Sequence, residues 1–166
     1  MTGSESGISA PEPLADTHIV EGFECGEAAL DEWLRRRAKP NQVSGASRTF
    51  VVCRGARVVG YYALAAGAIA SNEAPGRLRR NMPDPIPVIV LGRLAVDRSE
   101  QGRRLGSLLL RDAVLRTRQA AQAAGVVGIL AHAISEAAKQ FYLRWGFVES
   151  PSNPLTLVAR IKDFES

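Results

Sequence analysis

The chain has 166 residues, of which 46% are hydrophobic and 6% aromatic. That profile fits one globular domain able to build a core without metal or disulfide support. Its formal net charge of +4 favours an anionic cofactor or partner only weakly, because many basic domains carry no more than a solvated basic face.

The opening stretch MTGSESGISAPEP is polar and rich in Gly, Ser and Pro, with no basic n-region or apolar core. It reads as a flexible tail over residues 1–13, neither a signal nor a transit peptide, with a single domain expected over 14–166. No apolar run approaches the roughly 20 residues that cross a bilayer, so no membrane segment is expected and the expected location is cytoplasmic. Cys25 and Cys53 form no CxxC pair, and His18 and His132 lie far apart. Two buried thiols, with no disulfide and no metal site, are therefore expected.

AALDEWLRRRAK carries Ala29, Leu30, Trp33 and Leu34 at the spacing of one helical face, and Pro40 is expected to stop that helix. RTFVVC and RVVGYYALAAGAIA are β-branched and aromatic runs joined by RGAR, which predicts a hairpin. SNEAPGRLRRNMPDPIP, with four prolines and three arginines, predicts an irregular loop. VIVLGRLAV follows as a buried strand. A helix is predicted from about Arg104 to Ala124, its apolar stripe formed by Leu109, Leu110, Ala113, Val114, Thr117 and Ala121, with Gly125 as its end. VVGILAHA is a further strand. Ser135 is placed to cap a helix over EAAKQFYLRW, Gly146 to terminate it, and TLVARI to close the chain as a last strand. This order predicts an α/β (α+β) fold with a central sheet.

The stretch EQGRRLGSLLL sets Gly102, Arg103, Arg104 and Gly106 at the mouth of the long helix. Helix N-termini expose unpaired N–H groups at the positive end of the helix dipole, so such a mouth suits a phosphate. GxGxxG and GK[ST] are both absent, which excludes the dinucleotide fingerprint and the P-loop. In its strand–loop–helix setting the segment resembles the pyrophosphate loop of the GNAT superfamily, the acetyl-CoA-dependent N-acetyltransferases, whose pattern is [Q/R]-x-x-G-x-[G/A]. Gln101 and Gly106 match its ends, whereas Arg104 stands where the middle glycine belongs. SEAAKQFYLRWGF resembles a later signature of that superfamily, with Ser135, Ala138 and Tyr142 spaced i, i+3, i+7.

The resemblance implies a GNAT fold: a mixed, mostly antiparallel sheet flanked by helices, with a splayed strand pair holding acetyl-CoA and no metal. It implies that Gln101, Gly102, Arg103, Arg104, Leu105, Gly106 and Ser107 bind the pyrophosphate, and that Leu94, Ala95 and Val96 hold the pantetheine by their backbone. Ser135 and Ala138 complete the cofactor site. Tyr142 is then the general acid, since a phenol with a pKa of about 10 can protonate a thiolate leaving group whose thiol titrates at about 8.5. Asp97 and Glu100 belong to the loop, so no general base stands out. An acceptor α-amine, with a pKa near 8, needs less help than a lysine near 10.4.

Four segments, FECGEAALDEWL, GASRTFVVCRGARVVGYYALAAG, APGRLRRNMPDPIPVIVLGRLAVDRS and AHAISEAAKQFY, look like the GNAT toxins of bacterial type II toxin–antitoxin pairs. That resemblance implies acetylation of the α-amine of aminoacyl-tRNA, a block of translation, and neutralisation by a ribbon-helix-helix antitoxin; a homodimer is among the assemblies it allows. Arg77, Arg79 and Arg80 in the proline-rich loop, with Arg93, are the residues expected to meet tRNA phosphates. The helix cluster Arg35, Arg36, Arg37 and Lys39 reads equally well as a solvated face. Rival readings are a GNAT acting on a small amine or a protein N-terminus, and a non-catalytic acyl-CoA-binding module.

Overall fold

The structure, a computed structural model, describes residues 7–164. Strands β1 (Glu12–Pro13), β2 (Arg48–Arg54), β3 (Arg57–Ile69), β4 (Ile86–Val96), β5 (Gly128–His132), β6 (Val148–Ser150) and β7 (Asn153–Arg160) are joined by helices. These are α1 (Ala28–Arg36), α2 (Ala38–Ser44), α3 (Gly76–Arg79), α4 (Leu105–Ala123) and α5 (Glu136–Arg144). The strands form one sheet in the order β1-β2-β3-β4-β5-β7-β6. β4 and β5 pair in parallel, from Val88↔Gly128 to Leu91↔Ala131. The β1–β2, β2–β3, β5–β7 and β6–β7 pairs are antiparallel. This is the mixed sheet expected for a GNAT fold.

Four local expectations need correction. The predicted flexible tail includes residues 1–6, which lie outside the described residues, but residues 7–13 are bound to β2. Glu12 and Pro13 pair with Val51 and Phe50, and the Ser9 backbone N–H donates to the Cys53 carbonyl at 2.9 Å. Edge pairing satisfies backbone groups whatever the side chains, which composition does not report. α1 ends at Arg36, whose carbonyl Pro40 has no N–H to reach, but the chain does not leave helix there: Pro40 lies in the first turn of a second helix, α2, which the sequence did not suggest. The proline-rich loop keeps a 3₁₀ turn at Ser71–Glu73 and the single-turn α3, and β4 begins before Pro87. β6, three residues long, is too short for any alternation to announce it. The remaining predicted elements form, including the cap on α5, where the Ser135 hydroxyl accepts from the Ala138 N–H at 3.1 Å.

The chain packs as two compact units. One runs to Leu64 and includes Arg93–Asp112; the other comprises Ala65–Gly92 and the residues from Ala113 onward. The first has its core in Phe23, Leu30, Leu34, Val51, Tyr61 and neighbours. There the Tyr61 hydroxyl donates to the Leu30 carbonyl at 2.7 Å, so its buried polar end is satisfied. Gly60 on β3 lets α4 come close, since a Cβ there would stand 2.9 Å from Val52 Cγ2 and 3.1 Å from Leu109 Cδ1. In the second unit, Ile69, Ala74, Leu78, Ile86, Val88, Leu130 and Val158 form the core. The described residues include no helix long and apolar enough to cross a membrane.

Candidate active site

In the first unit the helix mouth is built by backbone conformation. Gly102 takes φ +84° and Arg104 φ +63°, both left-handed, and α4 starts at the next residue. The Leu108 N–H donates to the Arg104 carbonyl at 3.2 Å, the first bond of the helix. The amides of Leu105, Gly106 and Ser107 therefore precede any intrahelical acceptor and present donors at the positive end of a 19-residue helix. Arg104 shows physically why a glycine suits that place: an L-residue held left-handed costs about 1–2 kcal/mol. Its side chain is exposed. Replacing Arg104 by Gly is accordingly expected to stabilise the fold by about 1 kcal/mol, raising Tm by about 2–4 °C. Acetyl-CoA affinity should be kept or improved. A large calorimetric loss of affinity would instead make the guanidinium a phosphate ligand.

The loop before the mouth is braced by its own acids. Arg54 makes two hydrogen bonds to the Glu100 carboxylate, and Arg103 lies 3.5 Å from the same group. The Arg54 guanidinium holds the Glu100 carboxyl below the usual range, with Arg103 and Arg57 adding to the effect. Asp97 accepts from the Ser99 hydroxyl and N–H and from the Glu24 N–H, at 2.6 to 3.0 Å. Burial alone would raise its pKa, but these bonds keep it low. The Gln101 side chain donates to the Cys25 and Val96 carbonyls, each at 2.9 Å, and so ties the loop to the end of β4. Asp97 and Glu100 are thus loop struts, as the sequence suggested. Gln101, expected among the cofactor residues, spends its side chain on the same bracing.

Leu94, Ala95 and Val96 close β4, which runs on beyond Leu91, the last residue in the parallel register with β5. Beside them Arg93 lays its guanidinium 4.6 Å from the Trp33 ring centroid, and Trp33 stacks on Tyr61 at 5.9 Å and 9°. Such a cation–π contact is worth about 0.5–2 kcal/mol. The sequence offered Trp33 only as a core residue. Its partnership with Arg93 joins α1 to a strand sixty residues on, and no spacing rule predicts it.

In the second unit, Ser135 caps α5 and Ala138 and Tyr142 follow on it. Tyr142 is 5% exposed, with Phe141 at 5.3 Å and Phe147 at 5.4 Å between ring centroids. Burial pushes its phenol above the ordinary tyrosine range. It is therefore a buried residue, and its phenol keeps its proton at every physiological pH.

The basic clusters separate by role. Arg35 donates to the Phe23 carbonyl and Lys39 to the carbonyls of Asp16 and His18, which makes half of the helix cluster structural. Arg77 pairs with Asp163 at 3.1 Å, while Arg79 and Arg80 are exposed. Arg93, grouped with these three from sequence, belongs to the other unit and is engaged by Trp33.

Both cysteines are free, but only Cys53 is buried as expected; Cys25 is half-buried, and burial raises each thiol to about 11. Glu12, His18 and Cys53 bring their ligand atoms within 4.8 Å of one another, a juxtaposition the sequence did not suggest. His18 Nδ1, however, accepts the Ala15 N–H at 2.9 Å, so the neutral ring carries its proton on Nε2, facing Glu12. A metal at Nε2 would have to displace that proton while Nδ1 stayed unprotonated, and Cys53 holds its own proton tightly. The trio does not fit a metal ion.

A mixed sheet whose first-unit strand feeds a glycine–arginine mouth and a long helix is the frame of an acyltransferase. Residues 45–149 match the family described as Acetyltransferase (GNAT) domain, and the chain belongs to that family. It is 56% identical over 158 residues to the tRNA-acetylating toxin of Mycobacterium tuberculosis strain ATCC 25618 / H37Rv, covering 95% of both chains. It is also similar to AtaT solved in complex with acetyl-methionyl-tRNAfMet, at 29% identity and TM-score 0.86, covering 94% of this chain and 96% of that one. An AtaT variant bound to acetyl-CoA and the C-terminus of the antitoxin AtaR matches with TM-score 0.80 and 29% identity, over 94% of each chain.

Proposed function

We propose that this chain is a toxin that moves an acetyl group from acetyl-CoA to the α-amine of aminoacyl-tRNA, blocks translation, and is neutralised by a ribbon-helix-helix antitoxin. The observation that carries this reading is the 56% identity, over 95% of both chains, to a tRNA-acetylating toxin. Charged tRNA is a cytoplasmic substrate, and the single acetyltransferase domain expected over 14–166 serves it with its start moved back to take in β1.

The mouth supports a pyrophosphate: the amides of Leu105, Gly106 and Ser107 and the left-handed Gly102 and Arg104 make a concave donor set, with Arg103 and Arg104 adding charge. Bound there, acetyl-CoA supplies an activated acyl thioester. Leu94, Ala95 and Val96 are the residues whose backbone would hold the pantetheine, Ser135 and Ala138 would complete the cofactor site, and Tyr142 would supply the proton that the thiolate leaving group takes up. No carboxylate is assigned as base, since Asp97 and Glu100 are committed to the loop. An α-amine is partly unprotonated at neutral pH and suits a site without one.

Incubating the protein with labelled acetyl-CoA and a pool of charged tRNA, followed by mass spectrometry of the aminoacyl product, tests this directly. Label on the aminoacyl α-nitrogen is expected. Label that goes only to small amines or protein N-termini would replace the reading with a small-amine acetyltransferase, and failure to bind acetyl-CoA would leave a non-catalytic module.

A further inference from the structure

The second unit contains an open groove of about 840 Å³ that no sequence motif announces. Its walls gather cations from four places in the chain: Arg77 on α3, Arg80 just after it, Arg118 on α4, and Arg160 and Lys162 at the end of β7 and in the turn that follows. Among the described residues its lining includes no carboxylate and no aromatic side chain. Asp163 stands next to it, bound to Arg160 at 2.6 Å and to Arg77 at 3.1 Å. Five cations against that one acid leave an excess equal to the formal +4 of the whole chain. The formal charges of the remaining residues sum to zero, so the groove gathers as large an excess of cations as the whole chain carries.

We propose that the groove is a phosphodiester track for the tRNA, in which Arg118, Arg160 and Lys162 join Arg77 and Arg80, while Arg79 stays outside it. This rests on the aminoacyl-tRNA reading above. Four of the five cations are arginines; Arg77 and Arg160 share Asp163, while Arg80 and Arg118 stand outside that ion pair with a planar fork that matches a phosphate bidentately. Five cations drawn from separate elements around a cavity of this size suit a repeating anion better than a single small one. With no ring to stack on a base, the groove reads backbone charge and not sequence. It supplies affinity that is common to all tRNAs, and the choice among them must come from elsewhere.

Arg118 and Lys162 are the informative pair, because neither is part of the Asp163 ion pairs. In Arg118→Gln/Lys162→Gln, binding of fluorescently labelled uncharged tRNA should weaken. The slope of log affinity against log salt should drop by about 1.4–1.8, at about 0.7–0.9 for each phosphate that a cation neutralises. The wild-type advantage at 50 mM salt should then shrink about tenfold by 200 mM. Thermal unfolding at the wild-type temperature confirms that the variant is folded. An unchanged slope overturns the proposal. So does tighter binding of a poly-glutamate peptide than of tRNA, with that binding being the one abolished in the variant; the groove would then seat an acidic protein segment. If the wild-type protein fails to acetylate charged tRNA yet shows the slope change, the groove stands and the toxin reading falls. If it acetylates charged tRNA and the slope does not change, the groove falls alone.

Discussion

Replacing Tyr142 by Phe is expected to slow acetyl transfer about a hundredfold or more, the usual cost of losing a general acid, while acetyl-CoA affinity stays nearly unchanged. The structure makes this substitution unusually clean. The ring is 5% exposed and held between Phe141 and Phe147, packing that Phe preserves, so only the hydroxyl is removed. Burial raises the phenol pKa. A raised value keeps the proton on, so the proton-bearing form persists to higher pH than in a free tyrosine. Wild-type turnover should therefore climb with pH as the acceptor amine, near 8, loses its proton, and show no alkaline decline from Tyr142 below pH about 10. Stopped-flow or discontinuous rates over pH 6–10 check both halves. Turnover of the Phe variant within a few-fold of wild type would make Tyr142 a packing residue and the mechanism wrong.

Neutralising Arg77, Arg79 and Arg80 together, each to Gln, should raise the apparent KM for charged tRNA and flatten its salt dependence by about 0.7–0.9 in slope for each phosphate left without its cation. The three will not contribute equally. Arg79 lies outside the groove, so its single variant should move the slope least; Arg77 is shared with Asp163, which spends part of its charge, so it should move the slope less than Arg80. Acetyl-CoA binding should hold, since the helix mouth with Arg103 and Arg104 is untouched. In cells the triple change should relieve the growth arrest caused by expressing the protein without a partner. Were a free amino ester to accept acetyl as efficiently as charged tRNA, the loop cations would have nothing to hold and the toxin reading would fall with them.

By itself the sequence determined what is local. β-Branched and aromatic runs placed the hairpin β2–β3, a helical period placed the long α4, and a capping serine with a terminating glycine placed α5, because composition, period and caps are properties of neighbouring residues. The glycine–arginine mouth and the Ser135–Ala138–Tyr142 spacing were legible for the same reason, each lying within one element and its flanking turn. Tertiary structure decided whatever depends on partners distant in the chain. Glu12 and Pro13 became an edge strand because β2 offered backbone groups to pair with, and Gln101 became a strut because the Cys25 and Val96 carbonyls lay within its reach. Trp33 and Arg93 met only across the sheet, and Arg35 and Lys39 turned from a charge cluster into backbone ligands. The cationic groove is the extreme case. Arg77, Arg118, Arg160 and Lys162 belong to separate elements, and only the packing of a strand end, a helix and a short turn brings their like charges together at the surface, where water screens their repulsion until a polyanion replaces it.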